Sequence, residues 1–126
     1  MNSCIFCEYE KLNIILKNNL CYAIFDKYPV NKGHMLIIPY RHIDSLFDAT
    51  EEETEAIFSL LKEAKAYLDR KFKPDGYNVG VNIGKYAGQT IMHLHVHLIP
   101  RYKGDIDNPT GGIRGVIPSK MRYPFS

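Results

Sequence analysis

Residues His93-Leu94-His95-Val96-His97-Leu98-Ile99, closed by Pro100, constrain this chain more than any other stretch. Histidine alternates with an aliphatic residue, and a period of two marks a β-strand with one buried face. The pattern predicts a strand over 93–99 with Leu94, Val96 and Leu98 turned into a core. His93, His95 and His97 then share the other face, with neighbours roughly 6.6–6.8 Å apart. Three of the chain's five histidines stand in this row. Imidazole titrates near neutral pH, so the row can supply a nucleophile, a proton donor and an orienting partner. A His-x-His pair on a strand can equally hold zinc. The triplet by itself leaves metal binding and catalysis both open.

The flanking residues narrow the choice. Gly84-Lys85-Tyr86-Ala87-Gly88-Gln89-Thr90-Ile91-Met92 leads directly into the histidine strand, and Gly33-His34-Met35-Leu36-Ile37-Ile38-Pro39 lies upstream. Together these resemble the histidine-triad (HIT) superfamily of nucleotide hydrolases and transferases. Its signature is His-φ-His-φ-His-φ-φ with φ apolar, and this sequence fits it at every position. Gly-Gln-Thr before the triad and a Gly-His strand upstream are further marks of the family. The resemblance covers about residues 4–102. It implies an α+β domain in which a mainly antiparallel sheet of about five strands carries one long helix. It also implies a two-fold homodimer paired through that helix and an edge strand.

A length of 126 residues suits one domain, 1–126, with its core over 4–102. Sixteen basic against fourteen acidic residues give a net charge of +2, which demands no nucleic-acid partner. The longest apolar run near the N-terminus, Ile14-Ile15-Leu16, is too short for a signal or membrane segment. Three cysteines, an odd number without secretory context, argue for reduced thiols and a cytoplasmic location.

Cys4-Ile5-Phe6-Cys7 admits three readings: a redox pair, half of a zinc site, or incidental thiols. The redox reading needs a preceding strand and a following helix to lower the thiol pKa, and nothing before Cys4 supplies the strand. The zinc reading needs two further ligands. In bacterial HIT proteins and the related galactose-1-phosphate uridylyltransferases the Cys pair joins two histidines. The matching positions here are His42 and His93. The resemblance therefore implies a structural Cys₂His₂ zinc, set beside His95 and bracing the strand without touching the reacting phosphorus.

Leu20 to Phe25 reads as a strand, turned through Asp26 to Gly33 into a second strand over His34 to Ile38. Asp at a strand end is a common turn former; by resemblance, Asp26 binds the ribose hydroxyls. His34 reads as a hydrogen-bonded structural histidine. Residues 51–73 form a helix. Thr50 and Glu53 make its capping box, Ile57, Leu60, Leu61, Ala64 and Leu68 its buried stripe, and Pro74-Asp75-Gly76 its stop. Tyr77 to Gly84 alternates again, with Tyr77, Val79, Val81 and Ile83 on one face. Asn78, Gly80 and Asn82 occupy the other, where a ligand can approach the backbone. The Gly84–Gly88 loop contains Gly-Lys but lacks the spacing of a Walker loop. By resemblance Asn82, Gly88, Gln89 and Thr90 contact phosphate. From residue 103 the chain is an irregular Gly-, Pro- and Asp-rich tail, with a short edge strand expected over 113–117.

The resemblance also implies the chemistry. His95 attacks an α-phosphorus to form a covalent nucleotidyl-histidine, and water resolves it to a nucleoside monophosphate. His97 donates to a phosphate or leaving-group oxygen, His93 fixes the strand and the zinc, and no metal is needed for bond breaking. Phosphoramidates, adenylates and dinucleoside polyphosphates of a purine, adenine above all, are the implied substrates. Phosphorolysis of diadenosine tetraphosphate and nucleotide binding without catalysis are the alternatives.

Overall fold

The computed structural model describes residues 4–125. Residues 1–3 and 126, assigned from sequence to the same domain, lie outside the described residues. Five strands, β1 (Leu16–Lys17), β2 (Cys21–Phe25), β3 (Met35–Pro39), β4 (Gly76–Gly80) and β5 (Val96–Arg101), form one sheet in the order β1-β2-β3-β5-β4. Every neighbouring pair is antiparallel. One helix, α1 (Glu51–Lys71), crosses one face. The expected α+β architecture is the observed one.

Alternation in the strands sorts the side chains into two layers. Cys21 and Ala23 of β2, Met35 and Ile37 of β3, and Val96 and Leu98 of β5 meet Ile57, Leu60, Ala64 and Leu68 of α1. Leu60 and Leu68 are wholly buried, which is worth about 1.5–3 kcal/mol for each side chain. On the opposite face, Tyr22, Ile24, Leu36 and Ile38 are covered by the N-terminal segment through Phe6. That second face carries His97, paired across the ladder with Leu36.

The helix starts as its capping box dictates. Thr50 Oγ1 accepts from the Glu53 amide at 3.0 Å, and Glu53 Oε1 accepts from the Thr50 amide at 2.9 Å. It ends two residues earlier than expected, at Lys71, where Phe72 caps it and Lys73 turns into a left-handed conformation (φ 50°). Leu61, expected in the buried stripe, is only half-buried. Phe72 also packs on the β2–β3 turn: at Gly33 (φ +90°) a Cβ would stand 2.9 Å from its ring, so only glycine fits there.

Four further boundaries differ from expectation. The fifth strand is Leu16–Lys17, too short for periodicity to reveal. Residues 113–117 are not an edge strand; Gly112–Val116 form a 3₁₀ turn entered through left-handed Gly111. Strand β4 stops at Gly80, short of the expected Gly84. The histidine strand begins at Val96, not His93, because pairing with β3 ends at Ile37–Val96. Pro39, opposite Leu94 if the ladder continued, has no N–H to offer it. The Leu94 amide instead donates to the Ile43 carbonyl at 2.6 Å. Residues 93–95 therefore leave the sheet while keeping their alternation: Leu94 is buried at the helix face, and His95 faces the other way. Among the described residues no helix is long and apolar enough to cross a membrane.

Candidate active site

The face opposite α1 holds a cavity of about 620 Å³ whose lining includes His95, His97, Asp26, Asn82, Gly88 and Thr90. Six of the residues singled out from sequence thus converge on one space. Much of the remaining wall is apolar, with Ile5, Phe6, Leu12, Ile24 and Leu36 among it, while Asn13, Lys27 and Tyr28 add polar groups. The resemblance implied that apolar residues around Asp26 sandwich the base but named none, since an aliphatic strand residue reads the same whether it faces a core or a ligand.

Hydrogen bonds assign a tautomer to four of the five imidazoles. His93 Nε2–H donates to the Pro39 carbonyl at 2.8 Å, so its Nδ1 lone pair is free. That lone pair points at two thiols, with Cys4 Sγ 3.3 Å and Cys7 Sγ 3.6 Å away. His95 Nδ1–H donates to the His93 carbonyl at 2.8 Å, which leaves the lone pair on Nε2. His95 is thereby the histidine with an unprotonated nitrogen on the cavity side.

The third ring is fixed from further away. His34 Nδ1 accepts from the Val30 amide at 3.0 Å, so its proton sits on Nε2. That N–H lies 3.0 Å from His97 Nδ1, which must accept, and His97 carries its own proton on Nε2. His97 Nε2 is the buried side-chain polar atom left without a partner among the described residues. Such an orphan donor is costly unless a ligand meets it. Burial, then His95 and His34 alongside, push the His97 imidazole down to about 4, and burial lowers His34 as well. Both rings are neutral at pH 7, as this chain of donors requires. His34 is the structural, hydrogen-bonded histidine expected, with a specific object: it sets the tautomer of His97.

Asp26 serves two ends. Its Oδ1 accepts from the Tyr28 amide at 2.9 Å, making the turn, and its Oδ2 lies 3.5 Å from His34 Nε2. Asp26, His34 and His97 bring three ligand atoms within 4.8 Å of one another. A metal there would need the nitrogen on which His34 carries the proton it donates to His97.

Gln89 stands apart from the others. It is buried, its Oε1 accepts from the Gly84 amide at 2.9 Å, and its Nε2 donates to the carbonyls of Asp44 (2.9 Å) and Ile91 (3.2 Å). Its amide closes the 84–88 loop and is not among the cavity-lining groups. That loop, a 3₁₀ turn over Lys85–Ala87, ends at Gly88 (φ 96°) and turns its backbone to the cavity.

Cys4, Cys7, His42 and His93 form a second cluster beside the cavity, with their ligand atoms all within 4.8 Å of one another. Cys7 Sγ lies 3.1 Å from His42 Nδ1. Two thiols and two imidazoles at tetrahedral-edge spacing are the donor set that zinc prefers, so the residues fit the metal. All three cysteines are free. Burial and the neighbouring Cys4 thiol raise Cys7, so its proton must be displaced when a metal binds. Glu53, read from sequence only as part of the capping box, is 4% exposed and takes a two-pronged hydrogen bond from Arg41 at 2.7 and 3.0 Å. That pair lowers the Glu53 carboxyl and holds the chain just before His42.

Comparison with known proteins agrees with this geometry. The sequence profile of the HIT domain matches residues 9–104. The chain is 37% identical over 112 residues to an AP-4-A phosphorylase of Mycobacterium tuberculosis, spanning 86% of this chain and 57% of that protein. It is 34% identical over 92 residues to a bis(5'-nucleosyl)-tetraphosphatase (asymmetrical) of Schizosaccharomyces pombe, spanning 73% and 50% respectively. The chain therefore spans only about half the length of these two relatives. Among solved structures, a zinc-bound histidine triad family protein from Mycobacterium smegmatis superposes with a TM-score of 0.74. It is 30% identical, with 82% of this chain and 78% of that one covered.

Proposed function

The chain belongs to the HIT domain family, and on that premise we propose that it is a hydrolase that transfers a nucleotidyl group from dinucleoside polyphosphates to water through His95. The observation that carries the reading is the pair of opposed tautomers: an unprotonated Nε2 on His95 and a protonated, unpartnered Nε2 on His97. One can attack an electrophile while the other neutralises charge beside it.

The steps follow from the residues. A purine, adenine by family resemblance, lies against Phe6, Ile24 and Leu36, and Asp26 accepts from the ribose hydroxyls. Backbone amides at Gly88, with Asn82 and Thr90, donate to phosphate oxygens; Gln89 holds that loop in shape. His95 Nε2 forms a bond to the α-phosphorus as the bond to the bridging oxygen breaks, and the remaining nucleotide leaves as a polyphosphate. His97 Nε2–H donates a hydrogen bond to the oxygen that gains charge. Such a leaving group needs little protonation, so a neutral imidazole suffices. Water then attacks the phosphorus, releasing a nucleoside monophosphate and restoring the His95 lone pair. Adenylates and phosphoramidates would enter by the same step.

A zinc held by Cys4, Cys7, His42 and His93 would supply structural bracing and no Lewis acidity at phosphorus. Cysteines that must stay reduced to hold it suit the cytoplasm. A homodimer through α1 and the outer strand suits the exposure of Phe58 (53%) on α1 and Val79 (44%) on β4.

The likeness to an AP-4-A phosphorylase favours a second reading, in which inorganic phosphate replaces water in the last step. Turnover of diadenosine tetraphosphate with and without labelled phosphate separates the two. The monophosphate and the triphosphate in equal amounts support hydrolysis; label in a diphosphate supports phosphorolysis. No turnover with any of the three substrate classes would defeat both.

A further inference from the structure

Cys4-Ile5-Phe6-Cys7 does two jobs with four residues. Its ends present the thiols of the metal cluster, while its middle, Ile5 and Phe6, lines the nucleotide cavity. The segment is a tight turn in which the amides of Cys7 and Glu8 both donate to the Cys4 carbonyl at 3.1 Å. Phe6 is 3% exposed, and its carbonyl accepts from the Tyr22 hydroxyl at 2.6 Å. Its ring centroid lies 5.8 Å from that of His93, a cluster residue, at an interplanar angle of 84°. It also lies 5.2 Å from that of His95, at 59°. On another side, His95 packs on His97 at 5.2 Å. One aromatic ring therefore touches both a metal-cluster histidine and the reactive histidine.

We propose that Phe6 is a positioning residue for His95, and that through it nucleotide and the metal of the Cys4–Cys7 turn bind cooperatively. The inference rests on the nucleotide-binding reading above. Closing four ligands on an ion fixes both ends of the turn, which fixes Phe6 between the ends. A fixed Phe6 presents a ready wall to the base and holds the His95 ring where its Nδ1–H donates to the His93 carbonyl. A bound nucleotide, packed on the same wall, immobilises the turn from the cavity side. Each ligand thus finds part of its ordering already done by the other, and linkage makes the effect equal in both directions.

The test uses Co²⁺ as the metal probe and adenosine monophosphate as the nucleotide. Thiolate-to-cobalt charge-transfer absorption reports occupancy of the cluster, and competition with a chelator gives its affinity with and without the monophosphate. The nucleotide should tighten Co²⁺ about fivefold or more, and Co²⁺ should tighten the nucleotide by the same factor. Phe6→Leu should keep the charge-transfer band but reduce the coupling to less than about twofold, with kcat falling further than KM rises. Phe6→Tyr, which keeps the ring, should restore the coupling. Equal nucleotide affinity with and without metal overturns the inference and leaves the functional reading intact. Absence of the thiolate band overturns it at the metal cluster. A monophosphate that does not bind at all removes the functional reading, and this inference with it. If Phe6→Leu does not fold, the paired affinities of the unmodified protein decide the matter alone.

Discussion

His34 Nε2 donates to His97 Nδ1 across 3.0 Å, and that one hydrogen bond decides which nitrogen of His97 bears the proton facing the substrate side. His34→Ala should lower kcat roughly 10–100-fold, as loss of a group that orients a functional histidine does. KM should change little, because His34 is buried and does not line the cavity. Steady-state kinetics check both numbers. A fall confined to KM would remove this orienting role for His34.

His95→Ala should reduce kcat by about 10⁴-fold or more while leaving nucleotide affinity within a few-fold. Calorimetric titration with adenosine monophosphate and trapping of an enzyme-bound nucleotide in the unmodified protein provide the measurements. A variant that still turns over would end the covalent mechanism.

Acid should destabilise the fold in a definite window. His34, His93 and His97 all sit below their ordinary imidazole values in the folded state, chiefly through burial, and His97 reaches about 4. The unfolded chain, titrating near ~6.5, therefore binds more protons than the folded one between those values. Stability is fully present above about pH 6.5, falls as pH drops toward 4, and changes no further through His97 below that. The His97 contribution is on the order of 3 kcal/mol. Urea unfolding at a series of pH values measures it, and His97→Gln should flatten the slope.

Purified, tag-free protein should carry close to one zinc per chain. Cys4→Ser should lose most of it and lower the unfolding temperature, read by metal analysis and thermal denaturation. Unchanged stability on removal of the thiol would leave the four ligands as incidental neighbours.

At the helix start, Thr50→Ala should cost about 1 kcal/mol, the usual worth of such a cap. Arg41→Ala should cost about 1–3 kcal/mol, because it leaves the buried Glu53 carboxylate without its two-pronged donor. Both are measured by equilibrium unfolding, and the second should also loosen His42, one residue on from Arg41.

What the sequence disclosed, it disclosed through period and punctuation. The 51–71 helix was legible from Thr50, Glu53 and the Ile57–Leu68 spacing, and the strand pairs from alternation bounded by turns. That Asp26, Asn82, Gly88, Thr90, His95 and His97 share one cavity was foreseeable only because their motif resembles a family pattern; spacing alone left metal and catalysis undecided. Three things were out of reach. Pro39 ends the ladder by lacking an amide opposite a residue 55 positions away in sequence, which no local pattern records. Gln89 spends its amide inside its own loop, a choice made by the loop's folded shape. The cavity wall from Phe6 and Leu36 reads as core in sequence, because one face of a strand looks alike under a helix or beside a cavity.

The early end of the β3–β5 ladder has a consequence for how this molecule can change. The backbone at residues 93–95 lies beyond the ladder, so the His95 ring is aimed by separate donors and acceptors. A substitution can erase one of these and silence the chemistry while the scaffold beneath still assembles. Folding and activity are accordingly two properties that mutation can alter independently in this protein.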